Sequence, residues 1–170
     1  MFVLGHLGLG LGLAWLVTSW RGRPIDFRLV LVGAVLPDVI DKPLGAILGL
    51  ESRLWAHTLW FLAGFLLLGV LPPLRGLQWV GFGVASHLLL DLIWGQPNVV
   101  LWPFAGPFLP GAMSLGGFLH VLLTDPYVQV GEILGTAVLI LFVWTFRVGS
   151  WSALGRFLRR GELPGRGGAA

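Results

Sequence analysis

Five apolar runs, each near the length that crosses a bilayer, constrain this chain more than any other feature. They cover roughly residues 2–20, 27–50, 54–71, 78–94 and 127–146. A spanning helix needs about 20 apolar residues for a hydrocarbon layer of about 30 Å. The composition agrees: 56% of the residues are hydrophobic, 11% are charged, and mean hydropathy is +0.86. Soluble domains run at about 45–50% apolar and about 25% charged. The expected fold is all-α and polytopic, a bundle of about five transmembrane helices. Its second helix is expected to be broken at Pro37, Asp38, Asp41, Lys42 and Pro43. Residues 1–146 would form a single transmembrane helical domain, and 147–170 a basic cytoplasmic tail. The stretch 95–126 is rich in Pro, Gly and aromatics and too apolar for a solvated linker. It is expected to pack on the bundle or lie at the interface, where Trp and Phe are favoured.

Basic residues set the orientation. Arg21, Arg23 and Arg28 lie between the first two runs, Arg75 between the third and fourth, and Arg147, Arg156, Arg159, Arg160 and Arg166 after the fifth. With five spans these nine of the eleven basic residues share one side, which is therefore cytoplasmic. The N-terminus is then outside and the C-terminus cytoplasmic, in the inner (plasma) membrane. The outer side keeps Lys42 and Arg53. The tail arginines are too few and too spaced for a nucleic-acid arm. The first run lacks the basic leader of a cleavable signal. Its glycines have no phosphate-loop context, and Gly8 with Gly12 reads as close helix packing. With no cysteine, thiolate sites and disulfides are excluded.

Ionisable groups within a bilayer cost about 2.5–3.5 kcal/mol each on insertion scales and mark function. Seven lie within or at the edges of the runs: His6, Asp38, Asp41, His57, His87, Asp91 and Glu132. Asp38/Asp41 and His87/Asp91 have spacings that share a helix face. At about 1.5 Å per residue, His6 lies about 8 Å in from the outer side and His57 about 5 Å. Asp38 and Asp41 lie about 16 and 21 Å above the cytoplasmic side, His87 and Asp91 about 14 and 20 Å, and Glu132 about 6–8 Å below the outer side. All seven therefore fall in the outer half, although arginines alone set the orientation. A divalent cation relieves the mutual repulsion of four acids. Imidazole plus carboxylate suits zinc, with manganese or iron also accommodated, as one or two ions. A hydrogen-bonded structural network and an ion or proton path are the alternatives. His120 and Asp125 are expected at the surface.

These residues resemble a family. His6, LPDVID (36–41), His57-Thr58, SHLLLD (86–91) and LWPF (101–104) look like the motifs of the membrane-bound metal-dependent hydrolases, also described as LexA-binding, inner-membrane-associated hydrolases. The resemblance covers about residues 1–105. It implies that His6, Asp38, Asp41, His57, His87 and Asp91 are metal or catalytic positions. The third element departs from the family pattern: SRLWAHT (52–58) keeps Arg53 and His57-Thr58 but lacks an upstream histidine, which implies one ligand fewer in a two-metal site.

The chemistry expected is hydrolysis of an ester or phosphoester in an amphiphilic, lipid-like substrate at the outer side, with Asp91 or Asp41 as general base. Membrane lipids are the expected partners, nucleic acid is not expected, and a membrane-complex partner stays open. No Gly-x-Ser-x-Gly elbow supports a serine hydrolase. A non-catalytic subunit or scaffold with a structural metal, and a metal or proton transporter, are the other readings of the same polar layer.

Overall fold

The computed structural model describes residues 1–21, 25–111, 114–160 and 163. Eight α-helices form the fold, and no strand occurs among the described residues; Leu50 and Pro110 pair in an isolated antiparallel bridge. The helices are α1 (Val3–Arg21), α2 (Phe27–Leu48), α3 (Leu59–Leu68), α4 (Leu77–Leu90), α5 (Pro97–Val100), α6 (Leu115–Thr124), α7 (Pro126–Thr145) and α8 (Trp151–Arg160).

Local sequence sets their ends. Asp26 caps α2 by accepting the Arg28 N–H, and Gly49, at φ 70°, ends it in the left-handed conformation that glycine takes without penalty. Thr58 caps α3 through the Phe61 N–H. Asp125 caps α7, with Pro126 at the first helical position, where its missing N–H costs nothing. The expected break in the second helix is absent. α2 runs unbroken from Phe27 to Leu48 with Pro37 and Pro43 inside it. Each proline removes one backbone bond; Pro37 is buried in the bundle and Pro43 is exposed.

Two glycine contacts bring the helices close. A Cβ added at Gly8 would overlap the Gly135 carbonyl, which sets α1 directly on α7; one at Gly33 would overlap the Val80 carbonyl, which sets α2 on α4. Below them lies an apolar core of Leu11, Phe27, Val30, Phe142, Phe146 and Phe157. Phe157 belongs to α8, so part of the basic tail folds onto the bundle. The Arg28 guanidinium donates to the Arg159 carbonyl at 2.9 Å, fastening the end of α8 to the start of α2.

Val3–Trp20 and Pro126–Thr145 are long and apolar enough to cross a membrane. The apolar helices Leu59–Leu68, Leu77–Leu90 and Leu115–Thr124 are shorter. At 10 and 14 residues, α3 and α4 measure about 15 and 21 Å, less than a hydrocarbon layer of about 30 Å. Turns extend both of these runs: Trp55–His57 precedes α3, and Ile93–Gly95 follows α4.

Candidate metal centre

Four segments deliver the polar layer to one place. α1 carries His6, α2 carries Asp38 and Asp41, the turn before α3 carries His57, and α4 carries His87 with Asp91 as its C-terminal cap. His6, Asp41, His57 and His87 are fully buried, and Asp38 and Asp91 nearly so.

Asp41 organises the turn. Its carboxylate accepts the N–H groups of Leu54 (2.7 Å), Ala56 (3.1 Å) and His57 (3.2 Å), and the His57 Nδ1–H at 2.7 Å. A carboxylate with that many donors has little capacity left. It fixes the His57 proton on Nδ1 and leaves Nε2 as a bare lone pair. His87 is fixed in the same way: its Nδ1 lies 2.8 Å from the Ala34 carbonyl, which only accepts, so the proton is on Nδ1. The two Nε2 atoms then face each other at 3.1 Å. Two lone pairs at that distance repel, and only a cation between them, a proton or a metal ion, satisfies both.

Two carboxylates complete the surroundings. Asp38 Oδ1 lies 3.8 Å from each Nε2, and Asp91 Oδ2 lies 3.8 Å from that of His57 and 3.9 Å from that of His87. Ligand bonds of about 2.0–2.2 Å in a tetrahedron put ligand atoms about 3.3–3.6 Å apart. The five separations scatter around that value. His6 stacks on His87, with ring centroids 3.8 Å apart. Its Nε2 is 3.1 Å from Asp91 Oδ1 but misaligned for a hydrogen bond, so both buried ring nitrogens are unpartnered. Such orphaned atoms are costly unless something is bound. His6, His87 and Asp91 form one group that could hold a metal ion, and Asp38, His57 and His87 another.

Two cations flank the centre: Lys42 Nζ is 2.6 Å from Asp38, and Arg53 Nε is 2.9 Å from Asp91. The Met1 amino group also donates to Asp91 at 2.7 Å. A cavity of about 290 Å³, lined by Asp38, Lys42, Ser52, Arg53, Asp91 and Tyr127 among others, adjoins the centre. Glu132 stands apart from both groups. Its Oε1 accepts the N–H groups of Phe2 (2.8 Å) and Gly5 (3.1 Å) at the start of α1. Asp125 and His120 are exposed. Beside the centre, Trp102 stacks on Phe108 and both meet the edge of Trp55, which seats the LWPF segment against the turn that carries His57. The Ala34 carbonyl was not readable as a partner of His87, because backbone groups leave no mark in sequence spacing.

The family model described as YdjM inner membrane protein matches residues 1–156 of the chain. No curated protein and no solved structure matches it.

Proposed function

The chain belongs to the YdjM inner membrane protein family, and from that membership and the geometry of the centre we propose a membrane-embedded, metal-dependent hydrolase of an ester or phosphoester. The observation that carries this reading is the pair of bare Nε2 atoms, 3.1 Å apart and ringed by two acids. His57, His87, Asp38 and Asp91 would hold a divalent ion, with zinc suited to the donor set and manganese or iron alternatives. His6 is available to a second ion. Bound there, such an ion supplies Lewis acidity and lowers the pKa of water toward about 7.

The chain's own groups do the rest. Asp41 and the Ala34 carbonyl keep both imidazoles in the tautomer that presents Nε2. Asp91 lines the cavity and is the proton acceptor in this reading; Asp41 is sealed by its four donors and positions His57. The reading includes a five-span bundle in the inner membrane, N-terminus outside and C-terminus cytoplasmic, with the centre facing the outer leaflet. Its substrate is an amphiphile drawn from surrounding lipid.

The test is turnover. The purified full chain, supplied with zinc or manganese, is offered short-chain carboxyester and phosphoester lipids. Product release that fails in Asp91→Asn and His87→Ala supports the reading. A chain that holds metal and releases no product from any of them contradicts it and favours a structural metal site.

A further inference from the structure

Nine of the eleven basic residues belong to the arginine-rich loops and tail; the other two, Lys42 and Arg53, line the same cavity. Each is paired with an acid of the centre, yet the pairs are lopsided. The Lys42 and Arg53 side chains are 26% and 30% exposed, against 11% for Asp38 and 3% for Asp91. All four line the cavity, the acids lying beside the histidines and the two cations being the more exposed partners. We infer that Lys42 and Arg53 form a phosphate subsite, which makes the substrate of the proposed hydrolase a phosphoester rather than a carboxyester; this rests on the hydrolase reading.

Arg53 meets Asp91 through Nε, so its two Nη groups are the outer prongs of a fork that matches phosphate oxygens. Lys42 keeps donors beyond the one on Asp38. Its ammonium sits 5.3 Å from the Phe2 ring and 5.4 Å from the Phe118 ring, which holds the charge in place. Ser52 adds a hydroxyl to the same wall. A volume of about 290 Å³ is at the lower limit of ligand sites and suits a head group rather than a whole lipid. A divalent ion shared by Asp38 and Asp91 would draw their charge away from Lys42 and Arg53 and strengthen both cations as anion ligands.

Calorimetric titration of the full chain in detergent tests this, using dihexanoyl phosphatidic acid, dihexanoylglycerol and inorganic phosphate, with metal content measured on the same samples. The phosphatidic acid should bind at least about tenfold more tightly than the diacylglycerol. Lys42→Ala and Arg53→Ala should each remove about that factor while the metal is retained. Inorganic phosphate binding as tightly as the lipid supports the subsite with free phosphate as its ligand; weaker binding supports it with a lipid head group. Equal affinity for the two lipids in a metal-bearing wild-type chain overturns the subsite and leaves the hydrolase reading standing. Discrimination by a chain that takes up no metal keeps the subsite and overturns the hydrolase reading.

Discussion

Asp38 and Asp41 lie three residues apart on α2 and do different work. Asp38 lines the cavity beside the histidines, whereas Asp41 spends its oxygens on three backbone N–H groups and the His57 ring. Asp41→Asn replaces an acceptor oxygen with an NH₂ that faces donors. Metal affinity, measured against chelators, should fall about 10–100-fold, as when the partner that orients a metal-binding histidine is lost. Unchanged affinity would mean that Asp41 does not set the His57 tautomer. Glu132 makes the complementary case. Glu132→Ala should cost about 1 kcal/mol of thermal stability through the lost bonds at the start of α1, with metal content unchanged; loss of metal would return Glu132 to the ligand set. The sequence shows that both acids lie at the right depth. It cannot show which oxygens backbone donors will occupy, because those donors come from a turn 13 to 16 residues away for Asp41 and from the start of α1 for Glu132.

At the scale of the elements, the apolar runs were legible: α1, α2, α4 and α7 fall within a few residues of the runs expected for them. The break in α2 was not. Proline is read as an interruption, and the close approach of Gly33 to α4 involves residues far along the chain. The fold of α8 was hidden for a similar reason, since its arginines mark a tail while Phe157 reaches back to Phe142 at 6.1 Å. Asp26 links these parts, capping α2 and holding Arg28, which in turn reaches α8. The Arg28 hydrogen bond holds the Asp26 carboxyl below its ordinary value of 3.8. The carboxylate therefore adds stability above that pH, and the contribution is lost as the pH falls through the folded pKa. Asp26→Ala should lower stability by about 0.5–1 kcal/mol at neutral pH, a cap's worth at a half-buried site. In melts repeated below pH 3.8 the gap between variant and wild type should narrow; a gap independent of pH would contradict the assignment.

Across the whole molecule, separate helices converge on one buried layer, and their arrangement in the membrane can be read directly. The chain has no cysteine, so single-cysteine variants report sidedness. Gly116→Cys at the exposed start of α6 should react with an impermeant maleimide from outside intact cells. Ser152→Cys, exposed on α8, should react only after the membrane is opened. Labelling of both from the same side would contradict the five-span reading. Depth arithmetic placed His6, Asp38, His57, His87 and Asp91 in one layer, and they do meet; what it left out was the direction of the His57 and His87 rings, which hydrogen bonds at Nδ1 decide. The central claim is that the facing Nε2 atoms of His57 and His87, with Asp38 and Asp91, hold a divalent ion. Elemental analysis of the purified full chain tests it most directly. One or two equivalents of zinc, manganese or iron, lost in both His87→Ala and Asp38→Ala while the helical content stays intact, is the result expected. A folded wild-type chain that carries no metal after incubation with each of these ions would contradict it.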